Sequence, residues 1–160
     1  MRHLFIGLLC LLAGPFATAA EFMFEPPKGA TGGSHIVLQP GVAEQDSFWL
    51  DEAFPSSSAI DHYSRVLAKW RACHIDGGEG WLSFTDASTV PPRFIHQFSR
   101  TWVNPSNDVM VTVAVRYASS SLENRKVPDS RRQSVVVLRH KAKNASATIL
   151  PKGAKCETAI

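Results

Sequence analysis

The side chains with the most chemistry to offer lie on two neighbouring stretches, Phe94 to Val103 and Val109 to Tyr117. If the turn over 104–108 pairs Val103 with Val109, one face of the hairpin carries His96, Phe98, Arg100 and Trp102 beside Arg116, Ala114, Thr112 and Met110. Two guanidiniums and an imidazole between aromatic walls suit a carboxylate-bearing ligand or an acidic partner surface, because a planar guanidinium meets a carboxylate with two parallel hydrogen bonds. His96, Phe98, Arg100, Trp102 and Arg116 are therefore the candidate binding set. A competing reading puts Trp102 and Phe98 in the core and the arginines at solvent-exposed strand ends. A slip of one residue in register takes the two contributions apart.

Recognised catalytic spacings are absent. The chain contains no GxSxG elbow, HExxH site, CxxC pair, CxxCH haem site or P-loop. No catalytic residue is assigned, and His96, His74, Asp76 and Glu79 are the acid/base groups that a fold-assembled hydrolase site would have to use. Gly77-Gly78-Glu79-Gly80 follows a helical pattern and precedes a strand, the reverse of the order that cradles phosphate, so it reads as a turn. His35, His62, His74, His96 and His140 lack ligand spacing, so neither a metal nor a cofactor is expected. Asn144-Ala145-Ser146 matches a glycosylation sequon, relevant only in a eukaryotic source.

Residues 1–20, MRHLFIGLLCLLAGPFATAA, combine Arg2, the apolar run Leu4 to Leu12 and Ala17-Thr18-Ala19, the pattern of a cleaved signal peptide. The apolar run is too short for a bilayer core, which takes about 20 helical residues. Cleavage removes Cys10 and leaves Cys73 and Cys156, which are expected to pair in an oxidising compartment. The bridge would close a long loop, worth roughly 4 to 5 kcal/mol in the chain-entropy model. The alternative is a reactive Cys73 beside His74. Periplasmic or secreted localisation follows, with no stable membrane insertion once the leader is gone.

The chain has 17 basic and 14 acidic residues in 160. Removing Arg2 leaves 16 against 14, too even a balance to point to a nucleic-acid partner. The basic residues between Arg125 and Lys143 read as a solvated face.

The elements that must position the candidate residues follow from periodicity. Residues 21–34 carry prolines and glycines and read as a flexible N-terminal arm, ahead of a single domain over 35–160. His35 to Gln39 is a short strand; the loop beyond it, through Phe54, carries Phe48, Trp49 and Leu50, aromatic and aliphatic groups expected to pack on the core. Ser58 to Cys73 is expected to be a helix: Ser58 and Asp61 form a capping-box-like start, and Ile60, Tyr63, Leu67 and Trp70 fall on one stripe. Strands follow over 80–85, 94–103, 109–117 and 133–140, with a further short one over 147–150. Val109, Val111, Val113, Val115 and Tyr117 give the clearest period-two pattern. The expected fold is α+β, one N-terminal amphipathic helix packed on an antiparallel meander of three to five strands, stapled by one disulfide.

On this basis the chain reads as a non-catalytic exported binding protein recognising a protein or envelope component, such as an inhibitor or immunity factor. A small exported hydrolase and an envelope-assembly or secretion accessory are the alternatives. The oligomeric state is not readable from these residues.

Overall fold

A computed structural model of the 160-residue chain describes residues 22–52, 58–74, 81–88, 92–119, 132–143, 149–150 and 153–157. The expected leader with Cys10, the acid/base candidates Asp76 and Glu79, the sequon at 144–146 and the first half of the short strand expected at 147–150 lie outside the described residues.

The dominant element is an antiparallel sheet. Its strands are β1 (Thr31–Gln39), β2 (Ala43–Asp51), β3 (Arg71–His74), β4 (Trp81–Asp86), β5 (Arg93–Val103), β6 (Val109–Ser119), β7 (Arg132–Lys141) and β8 (Lys155–Cys156), and one nine-residue helix, α1 (Ser58–Val66), accompanies them. Strand order is β1-β2-β7-β6-β5-β3-β8, with β4 also paired to β5. This overturns the expectation of a helix packed on a meander of three to five strands: the fold is mostly β, and β2 pairs with β7 across the intervening chain.

Two local causes account for the difference. Residues 31–51 form a hairpin: the short strand expected over His35 to Gln39 is present and starts earlier, at Thr31, whereas 43–51, expected as loop, is strand, and the burial pattern explains the difference. β1 is exposed along nearly its whole length, and β2 buries the polar Asp46 together with Ala43, Phe48 and Leu50, which blurs the alternation. The helix also ends early. The Leu67 amide still donates to the Tyr63 carbonyl, but those of Ala68 and Trp70 donate three residues back, to Arg65 and Leu67. That tightening releases the chain into β3, so Arg71 to His74 are strand. Leu67 keeps its place in the core although it lies past the last helical residue.

The core lies between α1 and one face of the sheet. Ala59, Ile60, Tyr63 and Leu67 meet Phe48 and Leu50 of β2, Trp102 of β5, Val111, Val113 and Val115 of β6, and Val135 and Val137 of β7. Within the stretch read as a flexible arm, Phe22, Met23 and Phe24 pack against this core and Thr31 to Ser34 open β1. Phe22 meets Phe48 edge-to-face with centroids 6.3 Å apart, and Phe24 meets Tyr63 in the same way at 6.3 Å. Cys73 and Cys156 face each other across β3 and β8 and form the expected disulfide, closing a separation of 83 residues.

Candidate functional site

The β5–β6 hairpin decides what the candidate residues can do together. Its register pairs Val103 with Met110, Trp102 with Val111, Phe98 with Val115 and His96 with Tyr117, one residue away from the sequence expectation. The physical reason is the turn. The Asn104 amide donates to the Val109 carbonyl at 3.0 Å, Asn107 adopts a positive φ of 60°, and the Asn104 side-chain oxygen accepts the Asp108 and Val109 amides. An asparagine tolerates that backbone conformation better than most side chains do, so the loop tightens by one residue.

The shift divides the candidate set. His96, Phe98, Arg100 and Trp102 share the core face with Val111, Val113, Val115 and Tyr117, whereas Arg116 lies on the opposite face against Gln97. Trp102 is buried in the core and Phe98 packs against it, as the competing sequence reading has it. Arg100 sits 5.8 Å from the Trp102 ring centroid and donates to Glu157 at 3.2 Å, beside a cavity of about 250 Å³ at the end of the helix.

His96 is fully buried. Its Nδ1 shares a hydrogen bond with the Ser83 hydroxyl at 2.9 Å, its Nε2 another with Ser119 at 2.8 Å, and its ring lies 5.2 Å from that of Tyr117. An imidazole held between two hydroxyls and closed to solvent is placed to join strands β4, β5 and β6, not to meet a substrate. His74 is exposed at the end of β3, remote in register from His96, so the two imidazoles do not converge.

The opposite face holds the better site. Trp49 of β2, Ser134 of β7, Arg116 of β6 and Gln97 of β5 follow one another along a cross-strand row, and two residues further on Ala118 of β6 pairs with Ile95 of β5, on the same side of the sheet as Arg132 of β7. All of these but Gln97, with Arg93 at the start of β5, border a concave groove of about 440 Å³. Ile95 and Ala118 supply apolar floor, and Arg93, Arg116 and Arg132 supply three guanidiniums.

The guanidiniums of Arg132 and Arg116 are each oriented by a neighbour. Arg132 lies over the Trp49 ring at 4.8 Å from its centroid, a cation–π contact that also props the half-exposed indole. It stands 3.9 Å from Asp51, with both side chains largely in solvent. Arg116 Nε donates to Gln97 Oε1 at 2.6 Å. Arg93 faces Asp86 across the β4–β5 ladder. The Ser88 hydroxyl and then the Ser88 amide, at 2.5 and 3.0 Å, hold the Asp86 carboxyl below its ordinary range, with Arg93 adding to the effect. Three cations therefore stand around the groove wall, and Asp51 and Asp86 lie beside two of them.

Sequence reasoning found Arg116 and missed Trp49, Arg93 and Arg132. A signal for Trp49 was present: in Phe48-Trp49-Leu50 the outer two are buried and the middle one is 42% exposed, as strand alternation requires. Among the described residues no group of three or more His, Cys, Asp or Glu side chains is arranged to hold a metal. Compared with protein-family models, curated proteins and solved structures, the chain matches none.

Proposed function

We propose that this chain is a non-catalytic exported recognition domain whose groove, walled by Arg93, Arg116 and Arg132 beside Trp49, takes a carboxylate-bearing segment of a partner protein. The observation that carries the reading is the gathering of three guanidiniums from β5, β6 and β7 around one apolar-floored concavity. A guanidinium fork matches a carboxylate in shape and charge, and an apolar floor lowers the local screening that weakens such pairs in open water. The groove volume lies within the roughly 300–1,000 Å³ range of sites that accept a side chain or small ligand. Ser134 supplies a hydroxyl, but the described lining contains no imidazole or carboxylate to act as its base, which favours binding over hydrolysis. Export rests on the leader-like pattern of residues 1–20 and fits the Cys73–Cys156 bridge. An inhibitor, an immunity factor and an envelope-assembly accessory would all use such a surface.

The test is an NMR titration with acetyl-Asp-Phe-Glu amide and, as control, acetyl-Asn-Phe-Gln amide. The charged peptide is expected to shift the Trp49 indole and the Arg93, Arg116 and Arg132 side-chain signals. Equal shifts from both peptides, or shifts confined to other surfaces, would overturn the proposal.

A further inference from the structure

Strand β1 is one edge of the sheet, and among the described residues it pairs with β2 alone. Its outward N–H and C=O groups form a template for another strand. Proteins ordinarily blunt such an edge with lysines, prolines or shortness. None of these is present: β1 is nine residues long, TGGSHIVLQ, and contains no Lys, Arg, Asp, Glu or Pro, and its register irregularities, between Thr31 and Gly33 and between Val37 and Gln39, lie toward its two ends. Ile36, Val37 and Leu38 are 47%, 51% and 53% exposed, the longest run of large exposed apolar groups among the described residues. Consecutive strand residues point to opposite faces, so Ile36 and Val37 leave apolar surface uncovered on both.

The strand is held in place. His35 Nδ1 donates to the buried Asp46 carboxylate at 2.7 Å, and the Ser34 and Ser47 hydroxyls are hydrogen-bonded at 2.7 Å. The Phe22 ring closes over Gly33 so tightly that a Cβ there would lie 2.2 Å from the ring. From Gly33 to Val37 the ladder to β2 runs without a register shift. An incoming strand therefore meets a preformed edge, without the ordering cost that weakens binding to a mobile segment.

The other edge differs. It is divided between β4, six residues ending in Asp86, and β8, two residues starting with Lys155. It offers no long surface to receive β1 of a second molecule, so head-to-tail growth has no continuation. A strand that covers β1 must be extended, uncharged and apolar on both faces, and β1 is itself such a strand. Related by a two-fold axis, each copy satisfies the other and the pairing closes at two.

We infer that β1 pairs antiparallel with β1 of a second copy, joining the two sheets into one across a two-fold axis normal to the sheet. This rests on the edge alone and is independent of what occupies the arginine groove. It nevertheless places the two grooves on the same side of the joined sheet, where they would engage a divalent partner together.

Sedimentation equilibrium of the purified chain, alone and as the Ile36→Lys/Val37→Lys variant, tests the inference. The unmodified chain is expected to dimerise, with concentration-dependent hydrogen-exchange protection of the amides over 33–38. The double variant sets like charges against each other across the axis and is expected to raise the dimer dissociation constant by about tenfold or more. Both side chains are largely exposed, and retained near-ultraviolet circular dichroism checks that the fold survives. A chain that stays monomeric to millimolar concentration overturns the inference. So does a dimer indifferent to the two lysines, or open-ended assembly.

Discussion

Gln97 and Arg116 face each other across the β5–β6 ladder, and the guanidinium Nε donates to the amide oxygen at 2.6 Å. That bond uses one of the five hydrogens a guanidinium can donate and fixes the plane of the group at the groove wall. Under the proposed function, Gln97 is a positioning residue and Arg116 a contact. Arg116→Lys keeps the charge and loses the fork. It should weaken binding of acetyl-Asp-Phe-Glu amide by about 1 kcal/mol, roughly fivefold, because the site is half-exposed. Gln97→Ala should weaken it less. Calorimetric titration measures both, and unchanged affinity in Arg116→Lys would remove this residue from the site.

Arg93, Arg116 and Arg132 attract an anion mainly through solvent-screened fields, since Arg93 and Arg132 are exposed. Screening shortens from about 30 Å at 0.01 M salt to about 3 Å at 1 M. Affinity for the acidic peptide should therefore fall steadily with added sodium chloride, while the Asn-Phe-Gln control stays flat. A salt-independent affinity for the acidic peptide would mean that the apolar floor, not the arginines, carries recognition.

Parts of this arrangement are visible in the sequence because their signals are local. The valine alternation from Val109 to Val115 places β6, and the spacing of Ile60 and Tyr63 places α1. The Cys73–Cys156 bridge follows from the cysteine count once Cys10 is set aside with the expected leader. The groove does not follow in the same way, because it is made of register. Whether Arg116 lies beside His96 or on the opposite face depends on one residue in the turn, settled by Asn107 at positive φ and by the Asn104 side chain. Trp49 reaches the groove because β2 crosses to pair with β7, a long-range contact that no short window contains. The edge strand is legible only in part: His35 to Gln39 reads as a strand, but Gly32 and Gly33 make its first residues read as arm.

The C-terminal β8 is only two residues long, and its attachment rests on few contacts. These are the Cys73–Cys156 bond, the Glu157 amide donating to the Ala72 carbonyl at 2.8 Å, and Arg100 donating to the Glu157 carboxylate at 3.2 Å. The surface ion pair contributes little. Cys73→Ser/Cys156→Ser should lower the unfolding free energy by up to about 4 kcal/mol, as expected for a long closed loop. It should also release the tail, so that the Glu157 amide exchanges at the rate of an unstructured one. Urea unfolding and hydrogen exchange measure the two effects separately. Retained protection at Glu157 would show that the strand contacts hold the tail without the bridge.

Tyr63 is fully buried on α1, and its hydroxyl has no hydrogen-bond partner among the described residues. Burial first, and the Asp46 carboxylate second, push the phenol well above its ordinary range. An acid whose folded-state pKa is raised contributes stability that is complete below the unfolded value, about 10 for tyrosine, and is lost as pH rises beyond it. The unfolded chain then gives up a proton that the folded chain retains. Tyr63→Phe removes both the unpaired hydroxyl and this titration. Below pH 10 or so the variant should be as stable as the parent or better by up to about 1 kcal/mol. Above that pH the parent should lose stability relative to the variant by about 1.4 kcal/mol per pH unit. Paired urea unfolding curves at neutral pH and near pH 11 supply the comparison. A gap that stays constant between them would mean that the phenol ionises as readily in the fold as in water, and that the space around its oxygen is wet.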